Sequence, residues 1–485
     1  MKLLKSASAL LLAAAILLSV GACGGSSGSS SADTTGTAAD VSETTTGTTE
    51  LRDNVPELDF EGYEFRILTS ATTSSYTVTV YEEQTGEVLE DAMYERCKNV
   101  SERLNIVFAP DNVQANSSSA LSTMRNFVAA GDDAYDLCMQ LGRSCFAMTS
   151  AGYFLDMSEL PYIETDRPWW FYDINSQINI TGHEYIMFSA LTLGVYDFMN
   201  VMLFNKNMAA DFNMESPYSY VADGTWVFDV FAGMAREATA DLDGDGEMTK
   251  ADRYGLTGRA NSMLANFITG ARQRTVEVNE EDRPTLAIEG NQRIFDVFDK
   301  VSALVWDDGV WYPKTNTENN YYVAFPFFED GQALFADRSF RSITYLRSME
   351  DDFGVIPFPK YDEAQDEYGT MTEAGSRLMV VPATAGHHDV IGAAIETLSF
   401  YSHKLVIPAY YEISLKEKFA RDVESQEILD LAVKSLFYDM GNTMFCGSVK
   451  DGVFKIFFSG GRDLASSVAS QTPAFEAAVK AALGE

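Results

Sequence analysis

The sequence predicts an α/β protein of two or more lobes, and three observations carry that prediction. From Tyr63 to Leu141, strand-like apolar runs alternate with stretches of helical periodicity. Such alternation marks a largely parallel sheet flanked by helices. The chain beyond about Leu51 is long enough to bury more than one core. After the N-terminal segment, no apolar run is long enough to cross a bilayer.

The elements follow in order. "YEFRILTS" is a strand ending in Thr69 and Ser70. A helix from about Val88 to Leu104 puts Leu89, Ala92, Met93, Cys97, Val100 and Leu104 on one face, so Cys97 is a packed thiol. The strand "NIVFA", a helix from about Ser118 to Ala130 and the strand "YDLCMQL" complete the first lobe's pattern, with Gly142 after it. Open sheets bind ligands at the carboxyl ends of their strands, which selects Thr69, Ser70, Gln140 and Gly142.

Further on, "TWVFDVFAGMAREATA" spaces Val227, Val230, Phe231, Met234 and Ala238 as one helix face. "DLDGDGEMTKAD" follows, with Asp241, Asp243 and Asp245 alternating before Gly246. Calcium takes six or more oxygens, and alternate positions of a tight loop supply them. Glu247 would add its carbonyl, Thr249 a hydroxyl or bridging water, and Asp252 the closing carboxylate. Asp252 is shorter than the usual Glu at that position. The competing reading is a solvated acidic turn. One loop with one visible flanking helix points to a structural Ca2+ ion rather than a sensor.

Ile294, Val297, Phe298, Val301, Leu304 and Val305 form another helix face, which breaks into the aromatic and polar stretch "WDDGVWYPKTNTENNYYVAFPFFED". "GQALFADRSFRSITYLRSM", the strands "FGVIPFPK" and "SRLMVVPA", and a long helix after Asp389 come next; the part from about His403 is mostly helical.

The chain opens with Lys2, Lys5, a short apolar run and small residues, the pattern of an export signal over 1–22. Val20-Gly21-Ala22-Cys23 resembles the bacterial lipobox, whose cysteine carries acyl chains such as palmitate and so anchors the protein to the membrane. Residues 23–52 hold no aromatic residue and few large aliphatic ones, so composition predicts a flexible tether with a reach of roughly 30 Å. Formal net charge is -36, and -38 once Lys2 and Lys5 leave with the signal. That balance opposes nucleic acid and anionic lipid and suits an extracytoplasmic surface.

No zinc-protease HExxH, phosphate-binding loop or Cys-x-x-Cys occurs in the sequence, and no Gly-x-Ser-x-Gly stands between a strand-like and a helix-like run as an elbow would. Nothing supports an enzyme. Of the four histidines, His387 and His388 fall in a turn beside Gly386. Disulfides among Cys97, Cys138, Cys145 and Cys446 cannot be assigned from spacing.

The mature chain resembles the extracellular solute-binding proteins of family 1, lipoprotein receptors that feed ABC importers, often with carbohydrates. The matching pieces include "TGEVLEDAMYERCKNVSERLNI", "AAGDDAYDL", "MLFNKNMAADF", "GQALFADRSF", "DDFGVIPFPKYDE" and "SRLMVVPATAGHHDVIGAAIETLSFYSH", in that order. The resemblance implies a two-lobed, periplasmic-binding-protein-like class II fold over 53–485, with the ligand clasped between lobes. It places the first lobe at about 55–195 and 355–402, and the second at about 203–354 and 403–485. Crossings then fall near 192–200, 354–357 and 402–408. In the expected cleft it points to Tyr196, Asp197, Arg338, Phe340, Ser376 and Arg377, with Trp311 a weaker candidate. Each aromatic has core packing as its alternative, and the pair Trp169 and Trp170 reads as packing.

The expected function is that of a monomeric, non-catalytic receptor that closes on an oligosaccharide and delivers it to membrane permease subunits. Alternatives are a receptor for a peptide or a sugar acid, the latter favoured if Arg338 and Arg377 both face the cleft. A surface glycan-processing enzyme and an adhesive lipoprotein are further alternatives.

Overall fold

In a computed structural model of the protein, the described residues are 51–71, 79–146, 148–180, 182–312, 326–373, 375–411 and 423–485. The predicted signal, Cys23 and nearly all of the tether lie outside them. Residues Arg52–Glu485 form one compact unit, built on two sheets.

The first strand is interrupted. β1 (Tyr63–Phe65) and β2 (Ile67–Ser70) are separated by Arg66. The Arg66 amide donates to Asp136 Oδ2 at 2.7 Å, and its guanidinium donates to Asp136 Oδ1 at 2.7 Å. A side chain thus satisfies backbone that a sheet neighbour would otherwise serve, and the strand changes partners at that point. β1 pairs in parallel with β3 (Ile106–Phe108). β2 pairs in parallel with β4 (Asn112–Gln114) and β5 (Leu137–Leu141). Helix α1 (Val88–Leu104) buries Leu89, Met93, Cys97, Val100 and Leu104, the stripe its periodicity predicts. Helix α2 (Ser117–Ala130) is capped by Asn116, whose side chain accepts from the Ser119 amide at 2.9 Å.

The second sheet contains β6 (Asn200–Asn205), β7 (Tyr254–Thr257), β10 (Trp311–Tyr312), β11 (Ala333–Ser339) and β12 (Phe353–Ile356), in the order β10-β7-β11-β6-β12. A hairpin of β8 (Val276–Val278) and β9 (Pro284–Leu286) lies outside it. β7 is parallel to β10 and β11, while β6 runs antiparallel to β11 and β12. Helices α3 (Phe228–Ala238) and α4 (Ala260–Gly270) cover it. Phe231 packs its ring 5.1 Å from Phe335 and 5.3 Å from Phe267. Gly255 on β7 admits α3 closely: a Cβ there would lie 2.1 Å from the Ala235 carbonyl oxygen.

The chain first passes between sheets through residues 190–199. The second passage lies later than the expected 354–357, and residues 355–373 do not open the first lobe. Phe353–Ile356 is β12, paired with Asn205–Met202 of β6. The residues after it stay on the second lobe: Trp226 Nε1 donates to the Pro357 carbonyl at 2.9 Å, and Arg272 Nη1 to that of Tyr368 at 3.0 Å. The crossing comes where Thr372 bridges Met199 and the chain enters β13 (Arg377–Val380), antiparallel to β5. Nothing in a short apolar strand says which sheet it joins; pairing with β6 decided it.

The third passage also comes late. Helix α5 (His388–Tyr401) continues through a widened turn at Ser402–Val406 into Ile407–Tyr411. Pro408 has no amide hydrogen to bond back along the helix, which accounts for the widening. Ser402 still meets the first lobe, accepting from Arg96 Nη1 at 3.3 Å. Helix α6 (Val423–Lys434) then belongs to the second lobe, with Ser425 Oγ 2.8 Å from Tyr218 OH.

The last helix, α7 (Leu464–Leu483), touches both lobes. Its Ala481 and Ala482 carbonyls accept from Ser150 and Thr149 hydroxyls of the first lobe, at 3.0 and 3.1 Å. Glu485, just beyond it, accepts from Arg283 of the second lobe at 2.7 Å. All four described cysteines are buried and free, and no described helix is long and apolar enough to cross a membrane.

Candidate functional site

The two sheets present their strand ends to the passages between them. On the second lobe, β7 and β11 are parallel neighbours, so Thr257 and Ser339 finish on the same edge. Gly258 follows β7 with φ 156°, and a Cβ there would lie 2.7 Å from that of Asp337. Only glycine lets the two strand ends close up this far. Arg259, Asp337, Arg338, Arg341 and, from the second passage, Glu373 thereby line one small recess.

The recess mixes signs. Asp337 is 4 % exposed and accepts from Asn266 Nδ2 at 2.8 Å and Ser262 Oγ at 3.2 Å. Burial pushes its carboxyl up to about 6, against the pull of Arg259 and Arg338. Burial would raise Glu373 as well, but ion pairing with Arg259 and the charges of Lys450 and Arg341 hold it below its ordinary value. Arg341 lies 4.7 Å over the Phe198 ring. Guanidinium groups and carboxylates interleaved in this way offer donors and acceptors to a ligand rich in hydroxyls. No histidine or cysteine is among the described lining residues.

The first lobe contributes a second wall. Arg377 starts β13, reaches across the end of β5, and bonds Ser70 on β2. Its Nη2 donates to the Ser70 carbonyl, and to Ser70 Oγ at 3.0 Å; Nη1 lies 3.5 Å from Thr69 Oγ1. Gln140 is buried on the intervening strand. Ser376 Oγ donates to the Gly194 carbonyl at 3.0 Å and lies 3.2 Å from Thr372 Oγ1, so it fastens two passages together. Gly142 begins the helical turn Gly142–Phe146, with its Cβ position against Leu378 and Met444.

Tyr196, Asp197 and Phe340 do not line that recess. Tyr196 is buried among Phe171, Tyr410 and Tyr411, and burial drives its hydroxyl pKa upward. Asp197 accepts from Tyr410 OH at 2.8 Å. The Phe340 amide donates to the Met199 carbonyl at 2.7 Å. These three hold the passages where they meet. Trp311 packs edge-on to Trp306 at 5.6 Å and donates to the Gly258 carbonyl at 3.3 Å, a core position under the wall. Trp169 and Trp170 are likewise buried, their indoles donating to Glu396 at 2.8 and 2.9 Å. Of the residues expected from the sequence, Arg338 lines the recess, and Thr69, Ser70 and Arg377 come together at the strand ends of the first lobe. Arg259, Asp337, Arg341 and Glu373 were not expected. Arg341 stands three residues after Arg338 and Glu373 three before Ser376, but nothing local distinguishes them.

The acidic loop joins α3 to β7, closed by the bridge between Ala240 and Arg253. Carboxylate oxygens of Asp241, Asp243 and Asp252 lie within 4.8 Å of one another. Asp245 is not in that group; its Oδ1 accepts from the Glu247 amide at 2.7 Å. Asp252 is buried and accepts from the Thr249 and Leu242 amides at 2.6 and 2.8 Å, which keeps its carboxyl ionised to lower pH. The Asp245 amide alone would lower the Asp243 carboxyl, yet partial desolvation and the charges of Asp245, Asp252 and Asp241 raise it. Three converging oxygens with like-charge crowding fit a cation.

The fold is that of the two-lobed extracellular solute-binding proteins. An ABC substrate-binding protein from Listeria monocytogenes, solved with cycloalternan, superposes with a TM-score of 0.54 at 14% identity, covering 87% of this chain and 99% of that one. A sugar transporter protein from Rhizobium etli in an open conformation gives 0.60 at 14% identity, covering 86% of this chain and 100% of that one. A family 1 extracellular solute-binding protein from Bifidobacterium longum subsp. infantis gives 0.58 at 14% identity, over 85% and 99%. No family model and no curated protein matches the chain.

Proposed function

We propose that this chain is an extracytoplasmic receptor of an ABC importer that closes on a carbohydrate and delivers it to membrane permease subunits without transforming it. One observation carries the reading: both sheets turn their ligand-binding edges toward the passages between lobes, where guanidinium and carboxylate groups interleave. Hydroxyl rims are recognised by such groups, and three chain passages form the hinge that closure needs. The neighbours are binding proteins, and two of them are described by sugars: cycloalternan in the Listeria protein, and sugar transport in the Rhizobium one. Micromolar affinity corresponds to about -8 kcal/mol, within reach of several charge-assisted hydrogen bonds.

Calorimetry on the full-length chain in detergent, titrated with cyclic and linear oligosaccharides, tests this directly. Binding at micromolar concentration with unchanged sugar recovered by chromatography is expected. Recovery of cleaved sugar would establish an enzyme instead.

Two further features complete the reading. Cys23 is the lipid attachment site, so Cys23→Ala should release the protein from the membrane fraction or leave it unprocessed. The loop at Asp241, Asp243 and Asp252, with Asp245, Glu247 and Thr249, holds a structural calcium ion. Removing one of its carboxylates should lower the melting temperature in calcium while leaving solute affinity in saturating calcium nearly unchanged; no heat of calcium binding at millimolar concentration would reduce the loop to an acidic turn.

A further inference from the structure

The walls of the site differ in how their arginines are balanced. On the second lobe, Arg259 has Glu373, and Arg338 and Arg341 stand near Asp337 and Glu373. On the first lobe, Arg377 is 9 % exposed, and its bonds go to the Ser70 carbonyl, the Ser70 hydroxyl and the Thr69 hydroxyl. All of those partners are neutral. Among the described residues no carboxylate pairs with it, and burial alone pulls its pKa down to about 10. Gln140, on the strand that Arg377 crosses, leaves its buried Nε2 without an acceptor among the described residues.

Placing a cation out of water with no counter-charge opposes folding. Packing does not require it, since the same bonds to Ser70 could be made by a neutral amide. The position is also the ligand edge of the sheet, the carboxyl ends of β2 and β5. We infer that the solute carries an anionic group and that Arg377 binds it. The group is a carboxylate, a sulfate ester or a phosphate ester, because each offers two oxygens to a guanidinium fork. This inference rests on the receptor reading and narrows it from carbohydrates in general to acidic ones.

The test titrates the full-length chain calorimetrically with trigalacturonate, a sulfated chondroitin disaccharide, maltose phosphate, neutral maltotriose and cycloalternan. At least one anionic probe should bind tenfold or more tightly than either neutral one, and the probe that does so identifies the group. Arg377→Gln should lose tenfold or more for that probe, and Arg377→Lys should lose less. Without probe, the glutamine variant should melt at or above the wild-type temperature, since an unbalanced charge has been removed. A neutral probe that binds wild type and Arg377→Gln alike, with the anionic probes silent, overturns the anionic solute and leaves the receptor standing. A glutamine variant that melts lower yet binds every probe as wild type does makes Arg377 a structural strut, again overturning the inference. Binding of none of the five overturns both readings.

Discussion

Glu396 shows how much one buried carboxylate can bear. It is 0 % exposed on α5 and accepts from both tryptophan indoles. Burial raises its pKa to about 7, outweighing the indole and backbone bonds that favour the ionised form. In the unfolded chain the same group titrates near 4.5. The folded state therefore holds the proton more tightly, and the stability this contributes is present below about pH 4.5 and lost as pH rises through about 7. A shift of this size is worth on the order of 3 kcal/mol. Calorimetric melting of wild type and Glu396→Gln across pH 5 to 8 should show the wild type's advantage shrinking toward high pH. An advantage independent of pH would mean that Glu396 titrates normally. Asp337, raised to about 6 by burial, acts in the same direction inside the recess. Its charge, and with it the recess's mixture of donors and acceptors, should depend on pH near 6.

The elements of the first lobe were legible because each carries its own signal. The apolar stripe of α1, the alternation of strand and helix, and the strand-end rule together locate Thr69, Ser70 and Gln140 without reference to the rest of the chain. The second wall was not legible in the same way. Arg259 and Asp337 are 78 residues apart and meet only because β7 and β11 are parallel neighbours. Glu373 joins them only because the second passage comes after β12 rather than before it. Sheet pairing is a property of two strands at once, and neither sequence alone declares it. The close seat of α3 on β7 yields a prediction at this scale. Gly255→Ala would set a methyl group 2.1 Å from the Ala235 carbonyl oxygen. The helix must then lift, which should remove roughly 1–3 kcal/mol or somewhat more of unfolding free energy in urea titration. A loss below about 0.5 kcal/mol would show that the helix shifts freely.

For the whole molecule, closure is the property that separates a receptor from a scaffold. Small-angle scattering should show a smaller radius of gyration when solute is added, because lobes joined by narrow passages and one terminal helix can swing together. A solute bound without contraction would leave binding in place and remove the closing motion. The population shift cannot exceed what the solute's preference for the closed form supplies. The charges of the second lobe are already balanced, with Arg259 paired to Glu373, whereas Arg377 on the first lobe has neutral partners, so a ligand charge supplied on closure favours the closed form.

The C-terminal helix α7 adds a mechanical consequence. The passages fasten the lobes, and α7 fastens them again, through Ser150 and Thr149 on one side and Arg283 on the other. Two attachments define an axle, much as two pins define the swing of a door. Sliding and twisting of one lobe over the other are removed, and one rotation is left. Every solute is then met by the same two walls in the same alignment, and reach joins charge in setting which molecules fit beneath the swing.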